Sequence, residues 1–146
     1  MELSEFLVKA KRATYAGNAT ATVLEDGCKE LVYEEGEYRY RDRYYGNDPF
    51  TGQEVVFQND KVIWSMVYSG GSMNIGDPEG VYEFLRKAML QVREDRPFRG
   101  PNELVEGQLT YTDESEGGVS DFNGVEKIMM DGRLVYVLRY SGGVVV

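Results

Sequence analysis

The sequence predicts an internally duplicated α+β domain in which a helix followed by antiparallel strands occurs twice. Three observations support this. A segment beginning at Phe50 recurs in altered form at Phe122, 72 positions later. A stretch with helical periodicity precedes the strands in each half, and two-residue turn signals separate β-rich segments in both. We therefore expect one domain spanning residues 1–146, built of two repeats at about 1–72 and 73–146.

The repeat is most visible in a gapless alignment of the two segments. The shared residues are Phe50 and Phe122, Gly52 and Gly124, Glu54 and Glu126, and the closing Tyr-Ser-Gly-Gly at 68–71 and 140–143. Upstream, "EEGEYRYRD" from Glu34 resembles "VEGQLTYTD" from Val105, which aligns Asp42 with Asp113. Two copies of such a long unit predict pseudo-two-fold symmetry, not a solenoid.

Two helices are predicted by apolar residues at helical spacing. Ser4 and Asp77 are the expected N-caps, Pro78 suits a first helical turn and Gly17 should end the first helix. Equivalent apolar stripes should be buried in equivalent ways: Leu3, Phe6, Leu7 and Ala10 in the first helix, and Val81, Phe84, Leu85, Ala88 and Val92 in the second.

About four antiparallel strands per repeat follow from the turn signals. Asn59-Asp60 and Asp131-Gly132 each predict a two-residue hairpin loop. Further hairpins are expected near Gly36 and Gly107.

Strict alternation then assigns the two faces of the first hairpin. Val55, Phe57, Trp64, Met66 and Tyr68 fall on a core face, and Glu54 falls on the opposite one. Both faces carry apolar residues, so we expect a helix to cover one and the other half of the molecule to cover the second.

Composition limits the function. The chain has no histidine, which argues against most hydrolase mechanisms and removes the commonest zinc ligand, and its single cysteine cannot form an internal disulfide. A formal net charge of −9 disfavours direct binding to nucleic acid or to anionic membranes. Without a transmembrane or signal segment we expect a cytoplasmic protein, and we expect no cofactor and no metal.

Glu54 and Glu126 are the leading candidate site residues because both copies of the repeat carry them. Two carboxylates near a pseudo-two-fold axis would bind a cation, a cationic ligand or a proton. The structural alternative is that each glutamate accepts hydrogen bonds in its own turn. Aromatic residues would line the same groove, namely Trp64, Tyr68, Tyr136 and Tyr140, although Trp64 and Tyr136 are equally interpretable as matched core residues.

An arginine row is a weaker candidate for anion binding. In "EYRYRDRYYG", strand alternation places Arg39, Arg41 and Arg43 on one face, opposite a tyrosine stripe made of Tyr38, Tyr40, Asp42 and Tyr44. The row would bind an anion, or it is a solvated face paired with nearby acids.

The chain resembles an uncharacterised family of bacterial domains of unknown function. The resemblance rests on Tyr40-x-Asp42-x-Tyr44, on "GQEVV" from Gly52, on Trp64-x-Met66-x-Tyr68 and on the closing "YSGG". Members of that family occur in some proteins behind a helix-turn-helix, which implies a sensing or interaction domain and identifies no catalytic group.

The function expected from these observations is a non-enzymatic ligand-binding or regulatory domain. Its groove, between the repeats, would take a small cationic or amphipathic molecule. The first alternative is a protein-interaction module, a homo-oligomer or a partner-binding domain that uses a strand edge or the tyrosine stripe. The second is an enzyme that uses carboxylates without histidine.

Overall fold

Two helices and nine strands make up the fold in a computed structural model that describes residues 1–146. The first half comprises α1 (Leu3–Ala13), β1 (Thr22–Val23), β2 (Lys29–Glu35), β3 (Tyr38–Gly46), β4 (Phe50–Gln58) and β5 (Lys61–Ser72). The second half comprises α2 (Glu79–Met89), β6 (Glu103–Glu106), β7 (Leu109–Gly118), β8 (Asp121–Met130) and β9 (Arg133–Val144). The α+β class is confirmed.

All nine strands form one antiparallel sheet in the order β1-β2-β3-β4-β5-β9-β8-β7-β6. The halves meet where β5 pairs with β9, and Tyr68 lies directly opposite Tyr140 at that junction. The expectation that one half covers a face of the other half's sheet is therefore wrong, because the halves lie side by side in the same sheet. Apolar residues of both helices join a single core on one face, which leaves the opposite face open.

The predicted hairpin loops are confirmed. Asn59 and Asp60 have φ of 49° and 63°, and Asp131 and Gly132 have φ of 50° and 78°. Two consecutive positive φ angles match the right-handed twist of the flanking strands, and Asn, Asp and Gly tolerate them best. The loops set the register next to them, and in the first hairpin Phe57 pairs with Val62.

A bulge overturns the predicted faces of the first hairpin. Phe57 pairs with Val62, but Val56 pairs with Trp64, so Ile63 is an extra residue on β5. Such an insertion shifts the alternation of one strand relative to its partner. Glu54 and Val56 therefore share the helix-covered face with Trp64, Met66 and Tyr68, and Val55 and Phe57 lie on the open face. A matching register shift follows Ile128 in the second half.

The helices begin differently from the sequence-based expectation. α1 starts at Leu3, so Glu2 and not Ser4 occupies the N-cap position. α2 starts at Glu79 after Pro78, although the Asp77 side chain still accepts a hydrogen bond from the Glu79 amide at 3.2 Å. The predicted stripes are buried apart from the half-buried Leu3, with Phe6 and Leu7 in the core from α1 and Phe84 and Leu85 from α2. Neither helix is long and apolar enough to cross a membrane.

The connection from α2 to β6 is part of the core, although its polar sequence predicts a surface loop. Pro97, Phe98, Arg99 and Gly100 are all buried. Phe98 stacks on Phe122 of β8 with ring centroids 4.1 Å apart. The segment lies against the same sheet face as the helices and brings arginine side chains to that face.

Candidate functional site

Four carboxylates are buried on the helix-covered face of the sheet. Asp42 of β3 lies opposite Glu54 of β4, and Asp113 of β7 lies opposite Glu126 of β8. Each of these four residues is 2% exposed or less. Buried carboxylates need a partner or a proton, because desolvation penalises the charged form. The buried cations on this face are only Lys11 and Arg99.

Glu126 is fully hydrogen-bonded. Arg99 donates to both of its oxygens, from Nη2 to Oε1 at 2.9 Å and from Nε to Oε2 at 3.2 Å. The hydroxyls of Tyr111 and Tyr136 also donate to it, at 2.5 and 2.8 Å. Burial lowers the pKa of Arg99, but Glu126 together with the neighbouring Tyr15 and Tyr136 outweighs that effect and holds the pKa well above its ordinary value. This cluster is a satisfied ion pair.

Glu54 is bound differently. Lys11 of α1 places Nζ 3.0 Å from Glu54 Oε1, yet neither oxygen of Glu54 accepts a hydrogen bond. Lys11 instead donates to the carbonyl of Phe98. Burial lowers the pKa of Lys11, partly offset by Glu54. Trp64 occupies the position that Tyr136 has in the second half, and its indole donates to the carbonyl of Val119 at 2.9 Å.

Each half also contains a tyrosine that crosses a glycine to reach an aspartate. Gly52 pairs with Tyr68, and the Tyr68 hydroxyl extends over β4 to donate to Asp42 at 2.6 Å. Tyr140 crosses Gly124 in the same way and donates to Asp113 at 2.7 Å. A Cβ at either glycine would overlap the tyrosine ring. The glycine in each Phe-x-Gly-x-Glu sequence therefore gives the ring its path.

The two aspartates are poised to titrate near neutrality. Burial, reinforced by the neighbouring glutamate, raises the pKa of Asp42 to about 7 and that of Asp113 to about 7. Arg96 approaches Asp113 to 3.6 Å. Lys11 and Arg99 serve the two glutamates, so Asp42 alone of the four carboxylates has no ion-pair partner.

A cavity of about 190 Å³ opens beside Asp42. It lies between the helices and the sheet, and both halves contribute to its lining. Its walls are mainly aromatic and aliphatic: Tyr15, Tyr44, Phe50, Tyr82, Leu85 and Met89. Arg99 also reaches it, with its guanidinium 5.2 Å from the Tyr15 ring centroid and 5.8 Å from that of Tyr68.

Of the site residues predicted from the sequence, only Tyr68 lines the cavity. Glu54 and Glu126 do not share a cleft, since each is buried with its own cation. Neither glutamate accepts a hydrogen bond from its own turn, as the structural alternative had expected. Their charge partners are instead Lys11 of α1 and Arg99 of the connection after α2. Trp64, Tyr136 and Tyr140 are buried in the core and do not line the cavity, whereas Tyr68 does.

Several residues of the cavity were not candidates from the sequence. Asp42 carried a usable signal, because the repeat aligns it with Asp113, and a polar residue kept in a core-facing position needs a reason. Tyr15, Tyr82 and Arg99 carried none, since they lie in the first turn of α2 or in connections, where the repeat shows no matched residues.

The arginine row lies on the open face, and the tyrosine stripe lies on the covered one. Tyr38 and Tyr40 are buried beside α1, so they offer no exposed docking stripe. Arg39 and Arg41 stack on Phe57, with guanidinium carbons 4.2 and 5.1 Å from the ring centroid.

A family profile described as "Domain of unknown function (DUF5680)" matches residues 42–145. The chain belongs to the DUF5680 family. The matched region of this DUF5680 domain starts at Asp42 and includes the four buried carboxylates and Arg99. Lys11 and Tyr15 precede it. The same comparisons find no match among curated proteins or solved structures.

Proposed function

We propose that this DUF5680 domain is a non-enzymatic ligand-binding or regulatory domain whose cavity takes a small cationic molecule with an apolar body. The observation that carries the proposal is Asp42, a buried carboxylate without an ion-pair partner beside an aromatic cavity. A bound cation would provide the charge partner that the protein does not.

The charges around the cavity favour a cation over an anion. Arg99 is the only cationic side chain in the lining, and its guanidinium is held by both oxygens of Glu126. Asp42 accepts one hydrogen bond, from Tyr68. A ligand ammonium near Asp42 could therefore donate further hydrogen bonds to this carboxylate. The low dielectric of the buried site would strengthen the resulting ion pair.

The walls suit an apolar body attached to that cation. Tyrosine and phenylalanine rings attract cations over their faces and bury hydrocarbon along them. The volume of about 190 Å³ lies below the range of drug-sized pockets and corresponds to about six water molecules of liquid. A short aliphatic or aromatic amine fits that size.

Thermal unfolding with three matched probes tests the proposal. n-Butylamine, 1-butanol and butyrate share a four-carbon chain and differ in charge. At ten times its Kd the amine should stabilise the domain by about 1.4 kcal/mol, which raises Tm by about 3–6 °C. Butanol should have less effect and butyrate none. Equal stabilisation by butyrate would contradict the charge argument.

Asp42→Asn is the matched loss-of-site variant and Asp113→Asn is its control. Both change a buried aspartate that accepts a tyrosine hydroxyl, but only Asp42 lines the cavity. The amine should stabilise wild type and D113N, and should lose most of its effect on D42N. Retention of the full Tm shift in D42N would exclude Asp42 as the anchor.

The amine effect should also depend on pH. The pKa of Asp42 is about 7, so the carboxylate is mostly protonated at pH 5.5 and mostly ionised at pH 8. An ammonium binds the ionised form, so the Tm shift should be larger at pH 8. An amine effect independent of pH would indicate a different site.

We further propose that the two halves arose by duplication. The strand order is symmetric about the β5–β9 junction, and both halves place a tyrosine over a glycine onto an aspartate. A comparison of residues 1–72 with 73–146 across DUF5680 sequences tests this proposal. Alignments that fail to pair Glu54 with Glu126 would oppose it.

The single free, buried cysteine, Cys28, favours a reducing compartment, and we propose the cytoplasm.

A further inference from the structure

One edge of the Arg99 guanidinium is free at the ligand cavity. Nε and Nη2 donate to Glu126, at 3.2 and 2.9 Å, and Nη1 has no partner within the chain. Arg99 is 3% exposed and lines the cavity beside Asp42, yet Nη1 is not sealed from solvent. Nη1 lies on the side of the guanidinium away from Glu126, so this nitrogen faces the cavity and offers N–H groups there.

The Asp42 carboxylate has a free oxygen beside the same cavity. Tyr68 donates to Oδ1 at 2.6 Å, whereas Oδ2 accepts no hydrogen bond and is not sealed from solvent. Arg99 also borders the Tyr68 ring, with its guanidinium carbon 5.8 Å from the centroid. Burial and Glu54 raise the pKa of Asp42, and Tyr68 and Arg99 partly offset them, although Arg99 forms no ion pair with Asp42. With hydrogen bonds of about 2.9 Å at each end, one small ligand can bridge the two groups.

The charges around the cavity decide which ligand groups suit each end. Glu126 balances Arg99, and Lys11 lies 3.0 Å from Glu54, so ionised Asp42 is the carboxylate left without a charge partner. One positive charge on the ligand compensates it. A carboxylate on the same ligand would bring an extra negative charge into surroundings of low dielectric, where an uncompensated charge is costly.

We propose that the ligand carries a neutral oxygen acceptor next to its ammonium group, and that Arg99 Nη1 donates to this oxygen while Asp42 binds the ammonium. This inference rests on the cation site proposed above. It narrows the ligand class to amino alcohols and other amines with a neutral oxygen on a neighbouring carbon.

Other polar side chains of the cavity lining are less suited to the oxygen. The Tyr82 hydroxyl donates to Asp48 at 2.8 Å. The Tyr15 hydroxyl has no partner but is sealed from solvent. Tyr44 is half-buried and neutral, so a hydrogen bond from its hydroxyl is weaker than one from a guanidinium.

Three matched amines test the proposal by thermal unfolding at pH 8. 2-Aminopentane, 2-amino-1-pentanol and norvaline share five carbons and the position of the amine, and their first carbon is a methyl, a hydroxymethyl or a carboxylate. The alcohol should give the same Tm shift at about one tenth of the concentration that 2-aminopentane needs, because it gains a hydrogen bond from a charged donor. Norvaline should bind more weakly than either.

The outcomes separate this inference from the cation site itself. Stabilisation by 2-aminopentane with no advantage for the alcohol would overturn the oxygen contact and leave the cation site standing. No stabilisation by any of the three would overturn both. Norvaline that binds as tightly as the alcohol would overturn the preference for a neutral acceptor.

Arg99→Lys tests which residue binds the oxygen. A lysine ammonium can pair with Glu126 but has no second nitrogen to place towards the cavity, so the affinity ratio of the alcohol to 2-aminopentane should fall towards one. Arg96→Lys changes the same connection outside the cavity lining and should keep the ratio. A ratio that survives in R99K, or that Tyr15→Phe abolishes, would overturn the assignment to Arg99. Both ligands are compared on the same variant, so lower stability of R99K cancels, and the wild-type series decides where R99K does not fold.

Discussion

Replacing Asp42 with asparagine should make the stability of the domain less dependent on pH. The folded-state pKa of Asp42 is about 7, whereas an aspartate in an unfolded chain titrates near 3.9. Between these values the folded state holds a proton that the unfolded state has released. The contribution of protonated Asp42 to the stability of the folded state is therefore fully present below about pH 4 and is lost as pH rises through 7.

The size of the effect follows from the gap between the two pKa values. About three units correspond to about 4 kcal/mol, a large share of the 5–15 kcal/mol typical of a whole domain. Asp42→Asn removes this term. Relative to wild type, D42N should therefore gain up to about 4 kcal/mol of stability between pH 4 and pH 8. Asp113 should contribute a term of the same sign and similar size.

Urea denaturation at constant ionic strength, at four values between pH 5 and pH 8, measures this difference. Asp60→Asn is the control, because Asp60 is exposed in a hairpin loop and asparagine also tolerates its positive φ of 63°. D60N should follow the wild-type pH profile. A D42N profile parallel to that of wild type would refute the reasoning, since Asp42 would then titrate as an ordinary aspartate.

Two further predictions concern the buried residues that the two halves share. Glu126→Gln should cost about 3–5 kcal/mol, because it leaves a buried guanidinium that cannot release its proton. Glu54→Gln should lower the free energy of unfolding by less than Glu126→Gln does, and by less at pH 9 than at pH 6, because the unpaired Lys11 can release its proton and become neutral. If urea denaturation shows that E54Q is destabilised as much as E126Q, this explanation is wrong. Gly124→Ala should cost about 1–3 kcal/mol through overlap with the tyrosine ring above it, and Gly118→Ala, where a Cβ meets nothing within 4 Å, should be near neutral by the same measurement.

The sequence predicted the elements of this fold better than their assembly. Periodicity located both helices, and turn chemistry located the hairpins, because each depends on residues close together in the chain. The faces of β4 were wrong because a bulge at Ile63 has no local signature. The side-by-side arrangement of the halves was also missed. The pairing of β5 with β9 joins residues that are far apart in the sequence, and local patterns do not show which strand edges pair.

The candidate site was predicted only in part. The matched Glu54 and Glu126 are buried charges, but their partners come from a helix and a connection that the alignment of the halves does not cover. Tyr68 was predicted to line a groove and lines the cavity. Asp42 was visible as a matched residue on the face of the tyrosine stripe, but alternation alone does not show which face of β3 the helices cover.

The difference between the halves explains why the proposed ligand site lies beside the aspartate of the first half and not beside that of the second. Both halves place a tyrosine over a glycine onto a buried aspartate, so that device alone cannot distinguish them. The connection after α2 does distinguish them. It brings Arg96 to 3.6 Å from Asp113 and pairs Arg99 with Glu126, whereas it forms no ion pair with Asp42. The shared residues therefore build the scaffold, and the unshared connection leaves one carboxylate free to take a partner from outside the chain.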